Sequence, residues 1–186
     1  MTLVHQTSVF NVDEAAIYLL LSDPKGGTAT YGERIDCPLI QNVACNPDML
    51  NKELYGNGAV QARAAKLRQL MATVTYGELD FDALNVLNGS TITDDGVTPD
   101  QTSTLDLTAD DIPNYFRLEF RILQTDLPGG SLNVALHKCK VSDLVLGLAA
   151  KEDFSPQAFS LAAIPRKSDR KIASPVLNET AAELSA

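Results

Sequence analysis

Hydrophobic and polar residues alternate without a break after Asn114: Phe116, Leu118, Phe120 and Ile122 fall on one side, and Tyr115, Arg117, Glu119 and Arg121 on the other. A period of two belongs to a strand with one buried face. At 3.6 residues per turn the same apolar side chains would scatter around a helix with Arg117 and Arg121 among them. The run TDLPGG (125–130) then supplies a fixed φ from Pro and permissive φ from two Gly, and the apolar stretch LNVAL follows. Together they predict an antiparallel hairpin.

The same test applied along the chain yields mostly strands. AIYLLLS (16–22), closed by DPKGG (23–27), reads as a buried strand ending in a turn. Residues 28–47 carry short apolar pieces broken by Gly32, Pro38 and Pro47, as short edge strands and loops do. Gly56-Asn57-Gly58 marks a second hairpin, because both turn positions accept positive φ. We read its return limb as strand, although Val60, Ala64, Leu67 and Met71 also fit helical spacing. The segment after it, ATVTYGEL, is β-branched and aromatic and reads as strand in either case.

DFDALNVLNG (80–89) predicts a short helix over about 80–88, with Asp80 as N-cap, Asp82 at the positive end of the dipole and Gly89 at the left-handed C-terminal position. Ser90 to Pro113 turns to Ser, Thr, Asp, Gly and Pro and reads as an exposed excursion, with a strand at TSTLDLT. VSDLVLGLA (141–149) and QAFSLAAIPR (157–166) add two β-like pieces. The expected fold is mainly β: a sandwich or barrel of two packed antiparallel sheets, roughly seven to nine strands, with one short flanking helix and long loops. The expected organisation is an N-terminal arm (1–14), one β domain (15–165) containing the excursion 90–113, and a polar C-terminal arm (166–186).

Charge changes the picture at one place. The net charge is −9, and no Lys or Arg occurs between Gln69 and Phe116, where Glu78, Asp80, Asp82, Asp94, Asp95, Asp100, Asp106, Asp110 and Asp111 lie. Basic residues cluster instead at Arg63, Lys66 and Arg68 and at Arg166, Lys167, Arg170 and Lys171. Such an acidic segment argues against gripping phosphates, which needs a basic surface to displace counterions. Three widely spaced cysteines, Cys37, Cys45 and Cys139, make neither a disulfide framework nor a metal pair and read as reduced thiols of a protein made in the cytosol. We expect no signal peptide in MTLVHQTSVFNVDE, and the longest apolar run, AAIYLLL, is too short to span a membrane.

Candidate chemistry is sparse. His137 and Cys139 stand two apart on one strand, which would put them on one face, but no third ligand or orienting acid accompanies them. The GNG turn lacks the Lys-Ser/Thr of a phosphate loop, and the acids from Asp94 lack the spacing and terminal Glu of a calcium loop. We therefore expect no enzyme, no catalytic residue, no metal and no cofactor.

Several pieces in order carry a resemblance: AAIYLLL followed by a Gly turn and TYGE; ELYGNGAV; TVTYGELDFDALNVLNG; YFRLEFRIL; LNVALHKCKV; and AFSLAAIPRKSDRK. Across residues 16–171 the chain resembles the major tail tube proteins of long-tailed, siphovirus-type bacteriophages. The resemblance implies a β-sandwich or barrel with a flanking helix, in a non-enzymatic virion protein assembled in the host bacterial cytoplasm. It implies a homohexameric ring stacked head to tail into the hollow tail tube through which DNA passes without specific binding. It also implies a tape-measure protein, a tail-tip initiator and a tail terminator as partners. The excursion 90–113 is larger than the pattern requires.

Head-to-tail contacts use two different surfaces, and segregated charge suits them. The candidate pairing sets Asp94, Asp95, Asp110 and Asp111 of one subunit against Arg63, Lys66, Arg68, Arg166, Lys167, Arg170 or Lys171 of a neighbour. Acids of the excursion could instead line the lumen and repel DNA, and Arg117, Glu119 and Arg121 are alternative lumen-facing residues. Two other classes fit the same composition. One is a tail terminator or secretion-tube type of ring protein, and the other is a monomeric sugar- or protein-binding sandwich that uses the long loop.

Overall fold

The alternating segment at 116–123 is a strand at the heart of the molecule, with Phe116, Leu118, Phe120 and Ile122 all buried. The structure is a computed structural model describing residues 11–57, 59–124, 129–148 and 155–185. In chain order the elements are β1 (Val12–Ser22), β2 (Thr30–Asp36), β3 (Ile40–Gly56), β4 (Ala59–Tyr76), α1 (Phe81–Asn88), β5 (Thr91–Asp95), β6 (Thr102–Asp106), β7 (Phe116–Leu123), β8 (Ser131–Val145), β9 (Gln157–Ala163) and β10 (Ala173–Asn178). The large sheet runs β2-β1-β7-β8-β9-β4-β3, with β10 added on β8, and β5 and β6 form a separate ribbon. Every pairing is antiparallel. This is the expected mainly β sandwich with one short helix.

β8 makes the sandwich. Its first half pairs with β7 and β10, and its second half with β9. At the change-over the register slips: Phe116 pairs with Cys139 but Leu118 pairs with Leu136, so β8 carries one extra residue at 137–138. Such a bulge bends the strand and raises its twist, which lets the two halves of the sheet face each other. Phe116 of one half meets Phe159 of the other edge to face, with ring centroids 6.3 Å apart, and Phe159 meets Tyr76 at 6.0 Å. Two β-like pieces expected at LNVAL and VSDLVLGLA are thus one 15-residue strand. The turn expected at 125–130 has residues 125–128 outside the described residues.

α1 closes one end of the core with Ala83, Leu84, Val86 and Leu87. Asp80 Oδ1 accepts the Asp82 amide at 2.9 Å, and Gly89 has φ +79° with its N–H on the Asn85 carbonyl, as expected of the two caps. A Cβ on Gly89 would also meet the carbonyl oxygen of Ile112, so both conformation and space require glycine there.

The C-terminal region departs from expectation. Residues 173–178 are β10, paired along β8 from Ser131 to Leu136. The turn before it is held by Asp23, which accepts the amides of Lys167 and Ser168 and the Lys138 ammonium at 2.8 Å. Residues 181–185 then lie across the outward face of β1, β7 and β8, where Leu184 is buried with Ala16, Tyr18 and Tyr31. Polar composition suggested an arm, but these contacts fold residues 166–185 into the domain. The expected N-terminal arm lies almost wholly outside the described residues, and β1 already begins at Val12.

Candidate functional site

β4 pairs with β9 only from Leu70 to Tyr76. Beyond that point β3 and β4 continue together to Gly56 and Ala59, leaving a two-stranded ribbon with two free edges. At about 3.3 Å per residue it projects roughly 30 Å. A two-residue connection closes its tip, with Asn57 at φ +51°. Register places Met49, Leu67, Tyr55 and Val60 on one face and Leu50, Leu54, Ala62 and Ala64 on the other. All of these are exposed, Leu54 at 65 % and Tyr55 at 67 %. An isolated two-stranded hairpin is marginal in water, so this arm exposes apolar surface that nothing else in the described chain covers.

The arm's basic residues divide in two. Arg63 pairs with Glu53 at 2.8 Å, and Arg68 with Asp48 at 2.5 Å. Lys66, and Lys52 which sequence reasoning did not single out, make no ion pair among the described residues and share the Leu50–Leu54 face. The only sequence signal is that apolar residues stand at both odd and even positions of 49–55, which gives no single inward face and does not tell an exposed arm from a strand buried on both sides.

The excursion is a ribbon of β5 and β6 in which Ile92 and Leu105 are half-buried and the rest is exposed. Asp95 caps the Gly96 amide, and Asp111 accepts the Thr108 amide and hydroxyl. The bond from the Thr108 amide and that from its hydroxyl hold the Asp111 carboxyl below its ordinary range. Asp94, Asp100, Asp106 and Asp110 have no side-chain partner among the described residues. In the second basic cluster, Arg166 is engaged by Asp169 at 2.5 Å and donates to the Tyr31 hydroxyl, and Lys171 stands 3.9 Å from Asp169. Lys167 and Arg170 side chains make no ion pair among the described residues.

Arg117, Glu119 and Arg121 do share the outer face of β7, but not as an open row. Arg121 is bound by Asp13 at 2.6 Å and Glu14 at 3.0 Å. Arg117 pairs with Glu119 and stacks over the rings of Tyr18 and Tyr31. Glu119 is only 5 % exposed and accepts the Ser185 amide, while the Tyr18 hydroxyl donates to the Ser185 carbonyl. Burial, together with the charge on Glu119, pushes the Tyr18 phenol up to about 12.

His137 and Cys139 are separated by the bulge. Cys139 is in the core, whereas His137 faces outward with Nε2 2.7 Å from the Ser174 hydroxyl. The extra residue cancels the two-residue alternation that would have put them together. Burial first, then the positive charges of Arg166 and Arg117, push the imidazole down to about 4. It lines a groove of about 270 Å³ beside residues 182–185, smaller than usual ligand pockets. Among the described residues no group of His, Cys, Asp and Glu could hold a metal ion, and no helix is long and apolar enough to cross a membrane.

These features define an antiparallel β-sandwich bearing a projecting basic and apolar arm and a separate acidic ribbon. Compared with known proteins, the chain matches no family model and no curated sequence.

Proposed function

We propose that this chain is the structural subunit of a hexameric ring that stacks head to tail into the hollow tail tube of a long-tailed bacteriophage, a conduit for DNA with no catalytic role. The observation that carries the reading is the β3–β4 arm, whose exposed apolar faces and strand edges nothing among the described residues covers. Association removes that surface from water, and each large apolar side chain so buried contributes roughly 1–2 kcal/mol beyond its present half-exposure. The outer edge of β2, unpaired among the described residues, offers a second and different surface, as head-to-tail assembly needs. The resemblance of residues 16–171 to tail tube proteins supplies the ring and tube geometry, the virion location and the tape-measure, tip and terminator partners.

The separation of His137 from Cys139 supports a structural role over a catalytic one. The groove beside residues 182–185, with His137 Nδ1 and Arg117 Nε buried and unpartnered, favours a monomeric binding module as the second reading. Negative-stain electron microscopy across a concentration series tests the two. Hollow tubes with a regular axial repeat, or six-fold rings, are the expected result. Protein that stays monomeric at every concentration would overturn the tube and leave the binding module.

A further inference from the structure

Where β9 stops, β4 runs on without it. Their last pair is Leu70 with Ala163, after which the chain turns away through Pro165 and a loop closed by two backbone bonds. The Arg166 amide donates to the Lys171 carbonyl at 3.0 Å, and the Arg170 amide to the Arg166 carbonyl at 3.2 Å. The parting leaves a notch of about 440 Å³ between the base of the arm and this loop. Leu67, Leu70, Pro165 and Ile172 give it apolar walls, Lys66 and Arg170 give it positive charge, and no acid lines it. Both cations are exposed and make no ion pair among the described residues. Of the basic residues that the sequence singles out, these two alone line the notch.

The tip of the excursion is its complement. Between β5 and β6 the chain forms a closed turn: the Asp100 amide donates to the Val97 carbonyl at 2.8 Å, and the Gly96 amide to Asp95 Oδ1 at 2.8 Å. Val97, in this turn, is 79 % exposed, more than any other large apolar residue described. Asp100 is exposed with its carboxylate unpaired among the described residues, and the second oxygen of Asp95 is likewise unbonded. One compact turn thus presents an apolar side chain between two acids, and the notch presents an apolar hollow beside two cations. No hydrogen bond or ion pair joins turn and notch among the described residues.

We infer that the turn of residues 95–100 in one copy of this chain seats in the notch of a second copy, with Val97 against the apolar walls and Asp95 and Asp100 meeting Lys66 and Arg170. This inference rests on the tube reading and deepens it by naming both sides of one contact. The two surfaces differ, so the contact is heterologous and passes from each copy to the next. Opposite charges set its register and approach rate, and like charges placed there oppose it strongly. The bonds that close the turn hold its backbone in one shape before contact, which lowers the ordering that docking requires.

A charge exchange with an apolar control tests this. The full-length chain, a Lys66→Glu/Arg170→Glu variant, an Asp100→Lys variant, the combination of the two, and Val97→Ser are compared by sedimentation velocity and electron microscopy, at about 0.05 M and about 0.5 M salt. Each reversal is expected to raise the concentration at which assembly begins by more than about tenfold at low salt and by less at high salt, and the combination to restore most of the loss. Val97→Ser should weaken assembly about equally at both salt concentrations, since salt does not screen apolar burial. Far-UV circular dichroism should be unchanged throughout, because all four side chains are exposed. If the wild type assembles but the reversals have no effect, or the combination is no better than either, the docking is overturned while the tube reading stands. A wild type that stays monomeric at every concentration overturns both.

Discussion

Asp23 shows how much one side chain can organise. It sits almost fully buried between the turn after β1 and the loop before β10, binding Lys138 and two backbone amides. Burial alone would raise its carboxyl, but the bond from Lys138 and those from the amides of Lys167 and Ser168 outweigh it and hold it at about 2 against an ordinary 3.8. A folded value below the unfolded one contributes stability that is complete above pH 4 and lost as pH falls toward 2. Urea unfolding of Asp23→Asn should lack that acid loss, and Asp23→Ala, which strands the Lys138 charge, should cost about 3 kcal/mol at neutral pH. His137 is the parallel case among cations. Its folded value of about 4 lies below the ordinary 6.5, so the unfolded chain takes up the proton first. Stability should decline as pH falls from 6.5 to 4, and His137→Gln should remove that part of the slope. That His137 and Cys139 would share a face was the expectation from spacing alone, and it failed because the bulge at 137–138 follows from how β8 serves two sheet halves rather than from any local pattern.

The short helix is the element whose limits local chemistry sets most completely. Asp80→Ala removes one capped amide and should cost about 1 kcal/mol in urea unfolding. Gly89→Ala should cost about 2 kcal/mol or more, since the left-handed conformation alone costs 1–2 and the new Cβ runs into Ile112. The β3–β4 arm is the opposite case. Asn57 and its Gly neighbours marked the turn, but Ala62, Ala64 and Ala65 have little strand preference, which is why helical spacing also fitted the return limb. What decides for strand is the ladder of 16 residue pairs on β3, whose Pro47 is tolerated because the far side of β3 is unpaired among the described residues.

At the scale of the whole molecule, the arm and the sandwich should differ in stability. Amides 48–57 and 59–68 should exchange quickly in dilute protein, while those of β7 and β8 stay protected, because arm hydrogen bonds have no core behind them. At assembling concentrations hydrogen-exchange mass spectrometry should show the arm gaining protection. Leu54→Asp with Tyr55→Asp should weaken assembly while leaving the unfolding midpoint of the monomer within about 0.5 kcal/mol of wild type. The sequence by itself determined the β class, the strand face of 116–122, the caps of α1 and the acidic excursion. Each rests on a period, a cap residue or a composition read over a few neighbours. Only the tertiary structure decided that residues 166–185 fold onto the sheet, that Glu119 is covered by residue 185, and that Lys52 and Lys66 rather than Arg63 and Arg68 are the arm's uncommitted charges. Those outcomes depend on pairing between residues distant in the chain, and which distant strand lies opposite is fixed by how the whole sheet closes over its core.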